Sequence, residues 1–208
     1  PACSMTKPHI LVINPNTSAD ITASVHRLAV DEAGGDATIE SVTAPFGARY
    51  ISSRVSFSIA GHAVLDAYAN AVASSRRPDV TIVGCFGDPG VWALRECFGG
   101  PVIGLAEAAM REAATHGRFA IVTGGQRWRP MLERLAVSLG LAQELLHIEI
   151  VERTGAQLAA DPPAAHTLLA DACRVAERSG ARSIILGGAA LVGMAAALQP
   201  GLALPLID

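Results

Sequence analysis

The sequence is poor in aromatic and charged residues and has no excess of positive charge. Of its 208 residues, 4% are aromatic and 17% are charged, and the formal net charge is −3 at pH 7. Proteins that bind nucleic acids favour a basic stripe, and single-strand binders stack bases on aromatic side chains. We therefore expect no nucleic-acid partner. The hydrophobic share of 50% also excludes a disordered chain, a collagen and a coiled coil.

Sequence motifs for disulfide frameworks, metals and nucleotides are missing as well. Four cysteines occur, at positions 3, 85, 97 and 173, without a C-x-x-C pair. This spacing argues against a zinc ribbon or a thioredoxin-like site, and we expect reduced thiols. The sequence has no P-loop, zincin or nucleophile-elbow motif, and its six histidines do not cluster at ligand spacing. The prediction is that neither a metal nor a cofactor takes part.

No stretch of the sequence predicts a secretion signal or a membrane span. Residues 1–8 form a predicted leader that lacks an apolar core segment. Residues 183–207 carry no charge, but glycines and prolines interrupt them. A buried strand, a turn, a short helix and a second strand explain this segment better than a helix across a bilayer. We therefore expect a cytoplasmic protein with no membrane partner.

Short runs of Val, Ile and Leu, separated by helical stretches, dominate the chain. Continuous runs of this kind are typical of parallel strands that are buried on both faces. The strands predicted for the first half are residues 9–14, 37–42, 80–84 and 101–103. Those predicted for the second half are residues 118–123, 145–150, 183–186 and 204–207. Strands that alternate with helices predict an α/β fold with parallel sheets.

Capping signals mark several of the helices. Ser18 is expected to cap a helix that runs to about residue 33, and residues 57–76 carry apolar side chains at helical spacing. Asp88 and Asp161 each stand directly before a proline, as N-cap residues often do. Each is therefore expected to cap the helix that follows it.

The two halves of the chain repeat one pattern. The predicted strands of the second half begin 103 to 109 residues after those of the first. This near-constant offset predicts two four-stranded parallel-sheet subdomains related by pseudo-two-fold symmetry, over residues 9–117 and 118–208. They are expected to pack closely, and the C-terminal segment is able to cross back to the first. Because open α/β folds bind ligands at the carboxyl ends of their strands, the active site is expected between the subdomains.

Cys85 is the best candidate for a catalytic side chain. It follows a buried strand and opens a glycine-rich turn that leads into a helix. Backbone amides and a helix N-terminus lower a thiol pKa, so the sequence predicts a reactive thiolate. The alternative is a small buried hydrophobic residue, which describes most free cysteines. Cys97 and Cys173 lie in helical stretches and are expected to pack in the core.

Polar and glycine-rich turns follow the other central strands at this edge of the fold. The turn at residues 13–18 offers donors to a carbonyl or a small anion. Helix capping by Ser18 or Asn16 also explains part of its polar character. The turn around Gly188 is the counterpart of the Cys85 turn at an offset of 103. The residues expected to bind substrate are Asn16, Thr17, Phe86, Gly87, Thr123, Gly124, Gly188 and Ala189.

Several of these stretches resemble a known family. Residues 11–18 (LVINPNTS) are similar to the opening of hydantoin racemases, and residues 85–90 (CFGDPG) are similar to their first catalytic cysteine motif. Residues 46–51 and Thr123-Gly124 fit as well. The resemblance covers nearly the whole chain and implies the aspartate/glutamate racemase superfamily. It implies two α/β subdomains and cofactor-free catalysis, in which two cysteines on opposite faces of the substrate remove and return the α proton.

The sequence departs from this family at the second cysteine. That residue normally stands in a Leu-Gly-Cys-Ala-Gly turn, where this chain has Gly188. The first hypothesis is a racemase that uses Cys85 as acid and base on a hydantoin-like or amino-acid-like substrate. The second is a decarboxylase of the same fold, similar to the single-cysteine arylmalonate decarboxylases, although their cysteine resembles the second position. The third is a protein that binds its ligand without turnover.

The first hypothesis defines the expected substrate and its contacts. The substrate is a small molecule with a carbonyl or carboxylate beside the reacting carbon. Backbone amides near Phe86, Gly87 and Ala189, together with Asn16 and Thr123, are expected to hold the developing enolate oxygen. The apolar composition also predicts a homo-oligomer.

Overall fold

The computed structural model describes residues 7–153 and 155–208, which contain two four-stranded parallel sheets. The strands of the first sheet are β1 (His9–Asn14), β2 (Thr38–Thr43), β3 (Val80–Val83) and β4 (Val102–Gly104). Those of the second are β5 (Phe119–Gly124), β6 (Leu145–Val151), β7 (Ser183–Gly187) and β8 (Leu206–Ile207). All eight predicted strands are present, and their ends differ from the predicted ones by two residues or fewer. The predicted fold class is confirmed.

Helices connect the strands and cover the sheets. They are α1 (Ala19–Ala33), α2 (Arg54–Ser74), α3 (Val91–Phe98), α4 (Leu105–Thr115), α5 (Arg129–Ser138), α6 (Gly155–Ala160), α7 (Pro162–Glu177) and α8 (Met194–Leu198). The N-terminus of α2 lies before its predicted start because Ser53 and Ser56 form a reciprocal capping box there. The predicted cap of α7 is confirmed, since the Asp161 carboxylate accepts from the amide of Ala164 at 3.2 Å.

The repeat predicted from the sequence is present in the topology. The strand orders are β2-β1-β3-β4 and β6-β5-β7-β8, and every neighbouring pair is parallel. Each strand therefore occupies the same place in its sheet as its counterpart in the other half. The two central strands of each sheet, β1 with β3 and β5 with β7, end in the turns that carry the candidate site residues.

The hydrophobic core of the first half packs β1 and β3 against α2. Leu11, Ile13 and Val83 contact Val64 and Tyr68, and each of these five residues is at most 3% exposed. Burial of one such side chain stabilises the fold by about 1.5–3 kcal/mol. This core fixes the direction of β1 and β3, and with it the position of the turns that follow them.

The helix α4 packs against the second sheet, although it follows the last strand of the first. Its Ala106 and Met110 lie in one cluster with Phe119 and Ile121. The hydroxyl of Ser183 in β7 also donates to the carbonyl of Ala113 at 3.1 Å. The halves therefore share structure through α4, and a subdomain boundary between residues 117 and 118 stays a prediction.

The uncharged segment 183–207 forms β7, a short turn, α8 and β8, as expected from its glycines and prolines. In the parts of the chain that the structure describes, no helix is both long and apolar enough to cross a membrane.

Candidate active site

A cavity of about 80 Å³ lies between the two halves, at the carboxyl ends of their central strands. The first half contributes Asn16, Ile21, Tyr50, Ile51, Ser52, Cys85 and Phe86. The second half contributes Thr123, Gly124, Gly125, Trp128, Gly187, Gly188, Ala189, Ala190 and Leu191. None of these described lining residues is charged, so the cavity suits a neutral ligand with a few polar atoms.

Main-chain hydrogen bonds hold Cys85 in the turn after β3. The amide of Gly84 donates to the carbonyl of Ile13 at 2.8 Å, and the amide of Cys85 donates to the carbonyl of Val83 at 3.0 Å. The amide of Asp88 donates back to the carbonyl of Cys85 at 3.1 Å. This last bond closes the turn and places Asp88 beside the cysteine.

The surroundings of the Cys85 thiol keep it protonated. Cys85 is 6% exposed and packs with Ile51, Phe57 and Trp128. Burial raises the pKa of Cys85, and the negative charge of Asp88 raises it further. The predicted lowering of the thiol pKa is therefore wrong, because burial and a neighbouring carboxylate outweigh the nearby amides. A thiol whose pKa lies above its ordinary value is protonated at neutral pH.

Asp88 does not cap the helix that follows it, so this prediction is wrong. Gly90 is the N-cap of α3, with a φ of 80°. The Asp88 carboxylate accepts instead from the amides of Ala106 at 2.8 Å and Glu107 at 2.7 Å, in the first turn of α4. Burial raises the pKa of Asp88 to about 7, although the hydrogen bonds from the two amides lower it. The sequence signal for a cap was sound, but tertiary packing directs the side chain to a different helix.

Close contacts across the interface fix the Cys85 turn against the second half. A Cβ at Gly187 would lie 2.3 Å from Cε1 of Phe86, so the ring packs directly on that glycine. A Cβ at Gly87 would lie 2.5 Å from Cζ3 of Trp128, and the φ of Gly87 is 146°. Both positions accept only glycine without rearrangement. Phe86 thus joins the Cys85 turn to the turn after β7, and Trp128 joins it to the turn after β5.

The side chain of Asn16 is oriented by its neighbours after β1. Its Oδ1 accepts from Nδ2 of Asn14 at 3.0 Å and from the amide of Ser18 at 2.8 Å. The Nδ2 group of Asn16 has no protein acceptor within residues 7–153 and 155–208, and Asn16 lines the cavity. Ser18 is the N-cap residue of α1, as predicted, but its hydroxyl accepts no hydrogen bond from a helix amide. This arrangement presents an amide donor to a ligand.

The turn after β7 carries the glycine that corresponds to Cys85. Gly188 has a φ of 143°, a backbone conformation that other residues rarely adopt. Its carbonyl accepts from the amide of Leu191 at 2.8 Å, which closes a short 3₁₀ turn over Ala189–Leu191. The cavity wall at this point is therefore main chain and small apolar side chains.

The family model described as Asp/Glu/Hydantoin racemase matches residues 10–208. The chain belongs to this family. The resemblance found in residues 11–18 and 85–90 is confirmed by this match.

Two racemases of this family and one solved structure show how closely the chain follows its relatives. The hydantoin racemase of Pseudomonas sp. (strain NS671) is 31% identical over 201 residues, which cover 96% of this chain and 80% of the relative. That of Paenarthrobacter aurescens is 32% identical over 201 residues, with 96% and 85% covered. The structure of allantoin racemase from Klebsiella pneumoniae superimposes with a TM-score of 0.91 at 30% identity, over 97% of this chain and 82% of that one.

Seven of the nine residues predicted for the site, Cys85 included, line the cavity. Asn16, Cys85, Phe86, Thr123, Gly124, Gly188 and Ala189 all line it, and Thr17 and Gly87 do not. The amide of Thr17 donates to the carbonyl of Ala48 at 3.1 Å, and Gly87 lies under the ring of Trp128. Neither residue reaches the cavity. The contribution of each lining residue to binding stays a prediction.

Sequence reasoning missed several residues of this racemase-family site. Tyr50 and Ile51 lie within residues 46–51, which resemble the family, but the sequence predicts no role for them. Trp128 was missed entirely, although it follows the polar turn after β5 and is one of two tryptophans in the chain. A large amphipathic ring close behind a predicted ligand-binding turn is the signal that could have found it.

The other cysteines lie away from the cavity. Cys173 is buried in the core of the second half, as expected. Cys97 is exposed, so the prediction that it packs in the core is wrong. Its place near the end of α3 turns it towards solvent. Cys3 lies outside the described residues.

Proposed function

We propose that this member of the racemase family inverts a carbon centre beside a carbonyl, in a neutral hydantoin-like substrate, without a cofactor. The observation that carries the proposal is the position of Cys85, the one thiol among the described residues that line the cavity. The relatives named hydantoin racemase and allantoin racemase support a substrate of this class. The lack of charged lining residues favours a neutral ring over an amino acid, which carries two opposite charges.

The proposed chemistry is proton transfer at the α carbon. The ionised sulfur of Cys85 takes the α proton, and the bonding electrons move into the carbonyl to give an enolate. Asn16 Nδ2, the Thr123 hydroxyl and amides of the facing turns stabilise the negative oxygen by hydrogen bonds. Return of a proton to the face that lost it restores the substrate, and its delivery to the opposite face inverts the centre. Because burial raises the pKa of Cys85, the rate of proton removal is expected to rise with pH.

Gly188 makes the two faces of the substrate unequal in this proposal. It occupies the place of the second cysteine that the family resemblance implies, and glycine carries no acid or base. Protonation on that face is therefore proposed to come from water or from another group. Exchange of the α proton with solvent should then be faster than inversion.

A decarboxylase is the second candidate, and the single thiol at the cavity favours it. Loss of carbon dioxide from a malonate leaves an enolate that needs only one proton donor. The raised pKa of Cys85 keeps the thiol in the form that donates. Release of carbon dioxide from malonates, with no inversion of hydantoins, would identify this reaction. The cytoplasmic location and the homo-oligomer stay predictions.

The test of the proposed function compares Cys85→Ser with Cys97→Ser on a series of 5-substituted hydantoins. Inversion is followed by circular dichroism, and exchange is followed by NMR in deuterium oxide. Cys85→Ser should lower both rates by about 10²- to 10⁴-fold, the usual contribution of one positioned acid or base. Cys97→Ser is the matched control, because Cys97 is exposed and lies outside the cavity. Equal rates in the two variants would contradict the role of Cys85.

A further inference from the structure

Asp88 occupies the junction between the Cys85 turn and the core of the second half. Its amide binds the carbonyl of Cys85 at 3.1 Å, whereas its carboxylate binds the amides of Ala106 and Glu107. These amides belong to α4, the helix that packs against the second sheet. One residue thus connects the cysteine turn to the helix that the two halves share.

Two local features of the backbone keep Asp88 in this place. Asp88 has a φ of 59°, in the left-handed region that only glycine and, less readily, Asn and Asp adopt. Gly104 leaves the space for the carboxylate, since a Cβ there would lie 2.3 Å from Cγ of Asp88. Backbone conformations of this kind persist where surrounding contacts enforce them.

The Asp88 carboxylate, unlike that of the nearby Glu107, has no cation paired with it among the described residues. Glu107 is bound by Arg95 at 2.8 Å and by Arg111 at 2.9 Å, so two cations offset its charge. Arg95 also donates to the carbonyl of Val102. The Asp88 carboxylate receives only main-chain hydrogen bonds from the described residues, and Asp88 is 6% exposed. The negative charge of Asp88 raises the pKa of Cys85. We expect no such effect from Glu107, because Arg95 and Arg111 offset its charge.

We propose that Asp88 is a positioning residue for Cys85, which anchors the cysteine turn to the N-terminus of α4 and places a carboxylate beside the cysteine. This inference rests on the proposed function of Cys85 as acid and base. It adds a separate residue whose charge, together with burial, affects how much of the cysteine is ionised at a given pH.

The test measures the ionisation of Cys85 without substrate. The full chain, Asp88→Asn, Asp88→Ala and Glu107→Gln are alkylated with iodoacetamide from pH 6 to pH 10. Peptide mass spectrometry then gives the rate at Cys85, with the exposed Cys97 as an internal reference. Because only the thiolate reacts, removal of the Asp88 charge should raise the Cys85 rate at pH 8 roughly tenfold, about one unit of thiol pKa.

The two Asp88 variants separate charge from structure. Asn keeps one acceptor for α4 and tolerates the left-handed φ, whereas Ala has neither property. The melting temperature should therefore fall less in Asp88→Asn than in Asp88→Ala, but the Cys85 alkylation rates should rise alike in both. An alkylation rate that follows the loss of melting temperature, or one that is unchanged in both variants, would overturn the proposal.

Glu107→Gln is the matched control for charge. It removes a carboxylate from the first turn of α4, the turn whose amides bind Asp88. The rate at Cys85 should stay near that of the unmodified protein, and an equal tenfold increase would overturn the assignment to Asp88. These measurements also separate the inference from the proposed function. Expected alkylation in a protein that inverts no hydantoin would reject the proposed function and leave Asp88 as the residue that controls the thiol.

Discussion

The Cys85 turn and the Gly188 turn are the same structural device in two copies, and they differ in what surrounds them. Each follows the third strand of its sheet and leads into a helix through a glycine N-cap. The φ and ψ angles of that glycine are 80° and −5° at Gly90 and 85° and −6° at Gly193. The offset between the two glycines equals that between Cys85 and Gly188. The two turns therefore share the backbone conformation that leads into the helix, but only the first carries a thiol.

Packing distinguishes the two copies. A Cβ at Gly90 would lie 2.8 Å from the carbonyl oxygen of Gly61 in α2, whereas a Cβ at Gly193 would have no atom within 4 Å. The Cys85 turn is also held by Asp88 on α4 and by Phe86 on Gly187. The first turn is therefore enclosed by its neighbours, whereas the second has open space at its glycine N-cap.

The most direct way to break this comparison is to give the second turn a thiol. Gly188→Cys should raise the rate of inversion by about 10²- to 10⁴-fold relative to Gly188→Ala, the range expected for one positioned acid or base. The gain should appear in circular dichroism of a hydantoin, while deuterium exchange, which we propose that Cys85 already supports, should rise less.

Gly188→Ala is the necessary control because the φ of Gly188 is 143°. Any side chain there adds strain of about 1–3 kcal/mol, and the two variants share that cost. The contact itself is mild, since a Cβ would lie 3.6 Å from the Leu191 side chain. Equal inversion rates in the two variants would mean that the second proton carrier lies elsewhere.

A second comparison tests how the two turns dock. Gly187→Ala forces a Cβ to within 2.3 Å of the buried Phe86 ring and should lower the free energy of unfolding by about 1–3 kcal/mol. Gly84→Ala is the matched change in the first half, where the new Cβ would lie 3.5 Å from the carbonyl oxygen of Ile13. It should be neutral or should stabilise the fold by up to about 1 kcal/mol. Urea unfolding of both variants provides the measurement, and equal losses would show that Phe86 can move aside.

A third comparison concerns the polar residues at the ends of β1 and β5. Loss of a hydrogen bond to the charged oxygen costs about 1.5–3 kcal/mol, so Asn16→Ala and Thr123→Ala should each lower kcat/KM roughly tenfold or more. Similar losses would indicate that both halves bind the substrate. A ligand-bound structure in which neither side chain lies near the ligand would contradict the prediction.

The secondary structure and the repeat could be predicted because they depend on local patterns. Runs of Val, Ile and Leu gave the eight strands to within two residues, and their offset gave the duplicated topology. Asp161 was predicted correctly because an N-cap and its helix are adjacent in sequence. The same reasoning failed at Asp88, whose partners Ala106 and Glu107 lie 18 and 19 residues further along the chain.

The sequence by itself determined the fold class, the family and the cysteine that faces the cavity, since short-range periodicity and short motifs carry that information. Only the tertiary structure decided the state of that cysteine. Its pKa depends on burial and on a carboxylate that is held by the N-terminus of α4, a helix that begins 17 residues later in the chain. Tertiary packing also brought Trp128 over Gly87 and placed Cys97 in solvent, because contacts between distant elements leave no periodic signal in the chain.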